Sequence, residues 1–404
     1  MMNYLISAYS VNPYHGSEDG VGWNWVLQYE KNYKQGDKII LLTKKFNEED
    51  TRRGFQEFGI RHIELKIVDV PAYLNWFREK YSLFHHMYYM LWQHWAWLWV
   101  KKSGLQFDVI HHVTMNDYRI VSEMYKVQNA KIIWGPVGGA QITPKALKCY
   151  ERKKLSAEFR ELINKSCQWN PIYKVIVRKY DVIYCINKET KYQLEKIIKR
   201  PIVLLPELAI RDEYKNLKIN ERKNEIIKIV FVGRLIWKKG ITFLIDTLEL
   251  MPRNIEWELQ IFGDGENRDL IIKQIYQSSI REHVKIMGNR SLNQITEAYQ
   301  DADIFVLPSL RETSGNVLLE AMAHAIPIVA FDMSFCSQLK KKDCGIFIDV
   351  NQSVGKIKQD FCNAILELIQ NPETRKQKGM NGYKTVNQEF TWEKKYSTIY
   401  NYMI

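Results

Sequence analysis

The sequence predicts an α/β protein in which parallel, doubly wound sheets form two domains. Short apolar runs, each the length of one strand, alternate with segments of helical periodicity. This alternation is typical of parallel sheets covered by helices. A polar and charged stretch at 207–226 interrupts it and predicts the domain boundary. We therefore expect one domain at 1–206 and a second at 207–389.

The composition limits the class of protein and its compartment. A net charge of +12 over 404 residues suits nucleic acid, an anionic membrane or phosphate-bearing ligands. Because the basic residues are interspersed with acids and form no long tail, we expect no nucleic-acid partner. The six cysteines lack the spacing of a metal site or a disulfide framework, which favours the cytoplasm. No basic leader and no apolar run of about 18 residues is found, so we expect neither a signal peptide nor a spanning helix.

In the first domain, strands and helices alternate regularly. The predicted strands are Leu5–Ala8, Lys38–Thr43, His62–Val68, Phe107–Thr114, Lys131–Trp134, Val182–Cys185 and Ile202–Leu205. The predicted helices are Asn24–Tyr33, Glu48–Phe58, Ala146–Lys165 and Lys188–Ile198. Gly16, Gly20 and Gly22 follow the first strand and suit either a ligand-binding turn or a plain glycine-rich turn. His111 and His112 are adjacent on a strand, so they point to opposite faces, and we expect one of them in a cleft.

Residues 73–102 are crowded with aromatic side chains and end in two lysines. Apolar residues occur on nearly all sides of the predicted helix, which favours a wholly buried helix or helical pair. The alternative is a surface that touches a bilayer or a lipid-linked acceptor. Under that alternative the protein lies peripherally at the inner face of the cell membrane.

In the second domain, the loops after the strands carry the chemistry. The predicted strands are Lys228–Val232, Glu258–Phe262, Val284–Met287, Ile304–Leu307 and the run after Pro327, and the predicted helices are Ile241–Leu250, Ser291–Gln300 and Asn316–Ala325. Gly233 and Gly240 enclose Arg234 and Lys239. Two cations on a turn that allows close backbone approach suit a pyrophosphate group.

The stretch from Asp303 to Phe331 predicts a strand, a polar loop, a helix and a second strand. Glu312 lies in the loop, and Glu320 lies in the helix among apolar neighbours. A carboxylate in such surroundings is either exposed or held by a partner. Asp301 and Asp303 form an Asp-x-Asp pattern, but Asp303 enters an apolar strand, so we do not interpret the pair as a metal site.

Taken in order, these motifs resemble the family-4 (group 1) retaining glycosyltransferases of GT-B fold. The resemblance covers most of the chain and is strongest from Val230 to Asp332. Its specific parts are Gly-Arg-Leu with Lys239-Gly240, Phe-Gly-Asp-Gly ending at Gly265, Leu-Pro-Ser at 307–309, and the two glutamates separated by seven residues. The Gly-Ser-Glu, His-His-Val-Thr and Gly-Pro-Val-Gly-Gly segments resemble an exopolysaccharide or capsule branch of the family.

The resemblance implies two Rossmann-like domains that face each other across a cleft, with the donor in the second domain and the acceptor in the first. Arg234 and Lys239 would bind the donor diphosphate, Glu312 the sugar hydroxyls and Glu320 the ribose. His111, or else His112, would touch the sugar. A final helix over 390–404 would pack back on the first domain. The other residues implied to contact the donor are Gly16, Gly20, Gly22, Gly233, Gly265, Asn289, Arg290, Ser314, Gly315, Asn316 and Val317.

Some positions depart from the family pattern. The loop Glu312-Thr313-Ser314-Gly315 replaces the usual Glu-Gly-Phe-Gly, and Val113 stands where many relatives carry a second His. Because no carboxylate is placed as a nucleophile, we expect a front-face substitution. Since Arg234 and Lys239 would meet the phosphate charge, we expect no metal or other cofactor to be needed. UDP-hexose is the expected donor because UDP is the commoner nucleotide in the family. The alternatives are a nucleotide-sugar epimerase of the same fold and a non-catalytic basic protein that binds membrane or nucleic acid.

Overall fold

The chain folds into two compact units. A computed structural model describes residues 1–15, 17–71, 85–113, 115, 117–152, 154–207, 209–219, 224–312 and 315–403. Unit 1 comprises Met1–Ala140, Arg160–Leu208 and Trp392–Ile404, and unit 2 comprises Gln141–Phe159 and Ala209–Thr391. The division predicted from the sequence differs from this one at 141–159, which the structure groups with unit 2.

Unit 1 contains a seven-stranded parallel sheet. Its strands are β1 (Asn3–Ser7), β2 (Lys38–Thr43), β3 (Ile63–Ile67), β4 (Val109–His112), β5 (Lys131–Val137), β6 (Val182–Cys185) and β7 (Ile202–Leu204). Their order is β3-β2-β1-β4-β5-β6-β7. Its helices are α1 (Ser17–Lys31), α2 (Glu48–Glu57), α3 (His85–Ser103), α4 (Lys154–Trp169, which begins in unit 2), α5 (Pro171–Val177), α6 (Lys188–Glu195) and α14 (Trp392–Tyr400).

Aromatic side chains pack α14 against α1 in unit 1. The rings of Trp25 on α1 and Trp392 on α14 are 6.0 Å apart, and those of Tyr29 and Tyr396 are 5.5 Å apart. Such edge-to-face pairs contribute about 0.5–1.5 kcal/mol each beyond area burial. The helix predicted over 390–404 therefore lies as α14 against α1, within unit 1.

The aromatic helix α3 is buried on one face and accessible on the other. Trp92 is fully buried and its indole N–H donates to the Val68 carbonyl at 2.8 Å. Met87 and Met90 are exposed, and Trp97 lies 4.5 Å beneath the Lys126 ammonium. Residues 72–84, at the start of the aromatic stretch, lie outside the described part of the chain. Among the described helices, none has the length and apolar character needed to cross a bilayer.

Unit 2 contains a six-stranded parallel sheet. Its strands are β8 (Ile227–Val232), β9 (Trp257–Phe262), β10 (Val284–Gly288), β11 (Ile304–Leu307), β12 (Ile328–Phe331) and β13 (Gly345–Ile348), in the order β10-β9-β8-β11-β12-β13. Its helices are α7 (Ile241–Leu248), α8 (Arg268–Gln277), α9 (Leu292–Asp301), α10 (Asn316–Ala323), α11 (Cys336–Leu339), α12 (Val354–Gln370) and α13 (Pro372–Glu389). The predicted class, α/β with two doubly wound parallel sheets, is confirmed.

Most predicted elements are present, and two predictions need correction. The helix predicted over Ala146–Lys165 is a 3-10 turn at Lys145–Tyr150 followed by α4. The loop predicted after β1 is shorter, because α1 already begins at Ser17. Gly20 and Gly22 therefore lie inside a helix and not in a turn. Gly16 lies outside the described residues.

Candidate active site

The sheet of unit 2 has its switch point between β8 and β11. The chain proceeds from β8 to β9 and β10 in one direction and from β11 to β12 and β13 in the other. Both strands are parallel, so their carboxyl ends lie at the same edge of the sheet. In open α/β sheets, ligands bind in the crevice that forms where the loops diverge at this point. The loop 233–240 follows β8, and the loop 308–315 follows β11.

Close backbone packing holds these two loops together. Gly240 has φ +69°, and a Cβ on it would lie 1.9 Å from the Pro308 carbonyl oxygen. The Leu310 N–H donates to the Lys238 carbonyl at 2.8 Å. Glycine is therefore required at 240 both for its backbone conformation and for the contact.

A second close approach joins the loop after β8 to the loop after β9. A Cβ on Gly263 would lie 2.0 Å from the Gly233 carbonyl oxygen, and one on Gly265 would lie 2.7 Å from the Leu235 carbonyl oxygen. The Leu235 N–H donates to the Asp264 carbonyl at 2.9 Å. Gly233 and Gly265, both predicted site residues, thus shape the backbone beside Arg234.

Lys239 and Glu312 meet at the switch point. The Lys239 ammonium nitrogen lies 2.7 Å from Glu312 Oε2, and the Ser309 hydroxyl donates to the same oxygen at 2.9 Å. The side chains of Lys239 and Glu312 are 19% and 8% exposed. The aliphatic part of the Lys239 side chain passes close to Gly233, because a Cβ built on Gly233 would lie 3.9 Å from Lys239 Cε. A cation and a carboxylate from two loops are thus fixed at one point.

Arg234 and the 288–290 turn form the open, basic side of this edge. Arg234 is exposed, and its guanidinium has no ion pair within the described residues. Asn289 and Arg290 are also exposed, and the Gly263 N–H donates to the Gly288 carbonyl at 2.9 Å, which links their turn to the loop after β9. Arg234 and Arg290 are therefore available to an anionic ligand.

The first turn of α10 begins beside Glu312. Gly315, with φ +60°, directly precedes Asn316, the first residue of the helix. Asn316 Oδ1 is buried and has no hydrogen-bond partner among the described residues, and Val317 packs against the core of unit 2. Ser314 lies outside the described residues. The free N–H groups of a helix start favour an anion or a hydroxyl oxygen.

Glu320 lies in the same helix but in a different environment from Glu312. The Tyr299 hydroxyl donates to Glu320 Oε2 at 3.0 Å, and an Arg211 nitrogen lies 3.9 Å from Oε1. Burial raises the pKa of the Glu320 carboxyl, and the Arg211 charge and the Tyr299 hydroxyl partly offset this. The side chain is 16% exposed, so it is held by partners and not solvated.

A buried network that the sequence did not predict supports the Glu312 loop. Arg311 forms an ion pair with Glu151 and donates from Nε to the Thr143 hydroxyl at 3.0 Å. The Thr143 hydroxyl in turn donates to Glu151 at 2.8 Å. The Gln141 amide donates to the Glu312 carbonyl at 3.3 Å. The segment 141–151 is thus part of the site in unit 2, and its basic, helix-like composition gave no signal of this.

The two histidines lie in the core of unit 1. His111 Nε2 lies 3.2 Å from the Gly135 carbonyl and Nδ1 lies 3.2 Å from the Tyr29 hydroxyl. His112 has the Ser7 hydroxyl at 3.0 Å and the Tyr89 hydroxyl at 2.6 Å. Burial lowers the pKa of each imidazole to about 3.

These contacts correct the expectation that one histidine faces a cleft. The rings do point to opposite faces of the sheet, one toward α1 and one toward α3. Both are at most 1% exposed, however, and both nitrogens of each ring have partners. The structure therefore offers neither imidazole to a ligand.

The Asp-x-Asp pattern has structural partners. Asp303 accepts from the Lys228 N–H at 3.0 Å and from the Asn224 amide at 2.9 Å. Asp301 forms an ion pair with the Lys228 ammonium. Among the described residues, no group of three His, Cys, Asp or Glu side chains is arranged to hold a metal ion.

Comparison with solved structures identifies the fold. The lipopolysaccharide outer core galactosyltransferase WaaB superposes with a TM-score of 0.64 at 17% identity, over 100% of this chain and 99% of that one. The Anabaena protein HepE in complex with UDP and glucose superposes with a TM-score of 0.60 at 13% identity, over 99% of this chain and 100% of that one. The overall fold is therefore GT-B.

Comparison of sequences relates the second unit to a known family. An uncharacterized glycosyltransferase of Methanocaldococcus jannaschii is 26% identical over 234 residues, which are 58% of this chain and 62% of that protein. Alignments with the curated relatives span between 34% and 62% of those relatives' lengths. The family model of glycosyl transferases group 1 matches residues 212–385, which carry Arg234, Lys239, Glu312 and Glu320. This chain is thus similar to the glycosyl transferases group 1 over residues 212–385.

Proposed function

We propose that this protein is a retaining glycosyltransferase that moves a sugar from a nucleotide-sugar donor, UDP-hexose in the first instance, to a glycan or lipid-linked saccharide. The acceptor would belong to cell-surface polysaccharide biosynthesis. The group 1 match and the likeness to a lipopolysaccharide galactosyltransferase support the reaction class. The structural similarity to the Anabaena protein HepE, whose structure contains UDP and glucose, supports the donor class.

The observation that carries this proposal is the Lys239–Glu312 pair at the switch point beside the exposed Arg234. A diphosphate needs cations that can approach it without a large rearrangement. Lys239 is held by one carboxylate and Arg234 by no ion partner within the described residues, so both can turn to phosphate oxygens. Once Lys239 turns to the phosphate, Glu312 would accept hydrogen bonds from the sugar hydroxyls in its place.

The remaining proposed contacts with the nucleotide sugar involve residues of α10 and the residue before it. Glu320, held by Tyr299 and Arg211, would accept hydrogen bonds from the two ribose hydroxyls. The N–H groups at Gly315–Val317 would bind sugar or phosphate oxygens at the start of the helix. The unpartnered Asn316 Oδ1 would accept a hydrogen bond from a hydroxyl group of the sugar donor. Acceptor binding by unit 1 stays a prediction from the family resemblance.

In the proposed step, the bond between the anomeric carbon and the phosphate oxygen breaks while a bond to the acceptor oxygen forms on the same face. The acceptor's proton passes to the departing phosphate, so a nucleoside diphosphate leaves and the configuration is retained. Lys239 and Arg234 stabilise the charge that develops on that phosphate. One such preorganised donor contributes on the order of 3–4 kcal/mol to the barrier reduction. Because these cations meet the charge, we propose a reaction that needs no metal.

Product analysis tests the proposal. The protein is first screened by thermal shift against nucleotide sugars, since binding to the native state raises the apparent stability. The donor that stabilises it most is then incubated with saccharide acceptors, and the products are examined by mass spectrometry and NMR. We expect a glycosylated acceptor with retained anomeric configuration and equal rates with and without EDTA. A changed nucleotide sugar formed without any acceptor would instead indicate an epimerase, and inversion or loss of activity in EDTA would contradict the mechanism.

A further inference from the structure

Two consecutive helices of unit 1, α4 and α5, pack on the core through one face only. Cys167 and Val177 are buried on that face, and the Tyr173 hydroxyl donates to the Tyr118 carbonyl at 2.6 Å. The Asn170 side chain accepts from the N–H groups of Ile172 and Tyr173 and so caps the start of α5. The two helices are therefore anchored elements and not frayed chain.

The opposite face of these helices exposes large apolar side chains. Leu162, Trp169, Ile172 and Val175 are 55% to 82% exposed, and Trp169 is the most exposed of the four. Every other tryptophan in the described part of the chain is less accessible, including the three at 95, 97 and 99. Isolated exposed apolar residues are common, but four on two adjoining helices form a patch that marks an interaction surface.

The charge of this segment is mainly positive. Residues 162–179 contain Lys165, Lys174, Arg178 and Lys179 and no acidic residue, while Glu158 and Glu161 precede them on α4 and Asp181 follows. An apolar face with flanking cations is the pattern of a helix that lies in the interface of an anionic bilayer. A second copy of this chain is a poor fit, because an isologous contact would place the same cations against each other.

A basic pocket adjoins the patch. It has a volume of about 470 Å³ and is lined by the residues around 195–200 together with Arg178. Arg178, Lys196, Lys199 and Arg200 contribute four cations and Glu195 one carboxylate, and Arg200 is also paired with Asp181 at 3.1 Å. Lys199 is exposed and has no ion pair within the described residues. Arg178 lies directly after α5 and lines the pocket, so the pocket adjoins the carboxyl end of this helix.

We propose that the outer face of α4 and α5, together with this pocket, binds the surface of an anionic phospholipid bilayer. Trp169, Ile172 and their neighbours insert between headgroups, while the pocket cations bind lipid phosphate. This surface differs from the aromatic helix α3, which the sequence suggested as a membrane contact. The inference does not rest on the proposed glycosyl transfer, since its readout is lipid binding.

Vesicle flotation with the full chain tests the surface. The probes are phosphatidylcholine vesicles with and without 30% phosphatidylglycerol, at low and high salt. We expect the protein to float with the anionic vesicles only, and less at high salt because the attraction is screened. The variants Trp169→Ser/Ile172→Ser and Lys196→Ala/Lys199→Ala should each lower the partition coefficient by about tenfold.

Matched controls come from unit 2. Ile272 and Tyr276 are exposed on α8, and Lys273 and Lys341 are exposed lysines. Tyr276→Ser/Ile272→Ser and Lys273→Ala/Lys341→Ala should float like the wild type. All the altered side chains are exposed, so folding should survive, which circular dichroism checks.

Three results would overturn the inference. The first is no flotation of the wild type with anionic vesicles, even if inorganic phosphate alone binds the pocket. The second is equal loss in the test and control variants. The third is a wild-type dimer in sedimentation that the Trp169 variant abolishes without any lipid binding, which would make the patch a contact between copies.

Discussion

Lys239 Nζ and Glu312 Oε2 lie 2.7 Å apart although 73 positions separate them in the chain. The contact joins the loops after the two central strands of unit 2. Ser309 donates to the same oxygen at 2.9 Å, so the carboxylate keeps a partner if the lysine leaves. A bound diphosphate would compete with Glu312 for Lys239. The pair therefore holds the cation in place and also sets how easily it is released.

Lys239→Met should remove a phosphate contact while retaining much of the side-chain volume. We expect kcat to fall by about 10²–10³, because a preorganised donor at the leaving group is lost. The free energy of unfolding of unit 2 should fall by only about 1–2 kcal/mol, since the pair is partly exposed and Ser309 still binds Glu312. Steady-state kinetics and urea unfolding measure the two quantities. Lys273→Met, on exposed α8, is the control, and an unchanged kcat in Lys239→Met would remove Lys239 from the proposed chemistry.

Gly240 and Gly288 allow backbone conformation to be separated from close contact. Their φ angles are +69° and +68°, but a Cβ on Gly240 would lie 1.9 Å from the Pro308 oxygen, whereas one on Gly288 has nothing within 4 Å. Gly288→Ala should cost about 1–2 kcal/mol, the usual penalty of a left-handed alanine. Gly240→Ala should cost at least about 3 kcal/mol and lower kcat, because the loops of Lys239 and Glu312 must move apart. Equal stabilities of the two variants would contradict the contact.

Arg311 and Glu151 should couple strongly in a double-mutant cycle. Their side chains are 10% and 3% exposed, so either single change, Arg311→Met or Glu151→Gln, strands a buried polar group. We expect each single variant to lose about 3–5 kcal/mol and the double variant to lose less than the sum. The exposed pair Lys356–Asp360 should couple by only about 0.3–0.5 kcal/mol. Additive losses at Arg311 and Glu151 would mean that the network does not act as a unit.

The ion pair of Arg311 and Glu151 is a feature of the site that the sequence did not predict. The sequence predicts Lys239, Glu312 and Glu320 as site residues, because glycines and apolar strands mark the two loops and the helix that carry them. The ion pair of Glu151 with Arg311 spans 160 positions, and nothing in the local pattern around Glu151 indicates which unit it joins. Local patterns report neighbours along a helix or strand, whereas this contact depends on the path of an irregular segment.

Gly20 and Gly22 show a different reason for error. Glycine is a poor helix former, so three glycines after a strand predict a turn. Tertiary packing overrides that preference here. A Cβ on Gly20 would approach the His15 carbonyl oxygen to 3.0 Å, and Gly22 is buried. At Gly20, lack of a side chain, and not backbone freedom, therefore accounts for the glycine.

The sequence predicted the orientation of His111 and His112 but not their burial. Strand alternation correctly places His111 and His112 on opposite faces of the sheet. What the alternation does not reveal is that α1 covers one face and α3 the other. Tyr29 and Tyr89 on those helices then occupy the ring nitrogens.

That burial makes the stability of unit 1 depend on pH. Each imidazole has a pKa of about 3 in the folded chain, against about 6.5 in the unfolded chain. Below pH 6.5 each imidazole binds a proton in the unfolded chain but not in the folded chain. The contribution of the two neutral imidazoles to the free energy of unfolding is therefore complete above pH 6.5 and is lost as the pH falls toward 3. Between pH 6.5 and 5.5 the two groups together should lower the free energy of unfolding of unit 1 by about 2 kcal/mol.

Hydrogen exchange of the β1 and β4 amides, read by mass spectrometry at these two pH values, measures the change within unit 1. His112→Gln keeps hydrogen-bonding groups near Ser7 and Tyr89 but removes one titration, so it should halve the slope even if it lowers stability overall. His283 is only half-buried, and its ring stacks on Trp257 in unit 2, so His283→Gln should leave the slope in unit 1 unchanged. A slope in His112→Gln equal to that of the wild type would show that His112 binds protons equally in the folded and unfolded chain, which contradicts its burial.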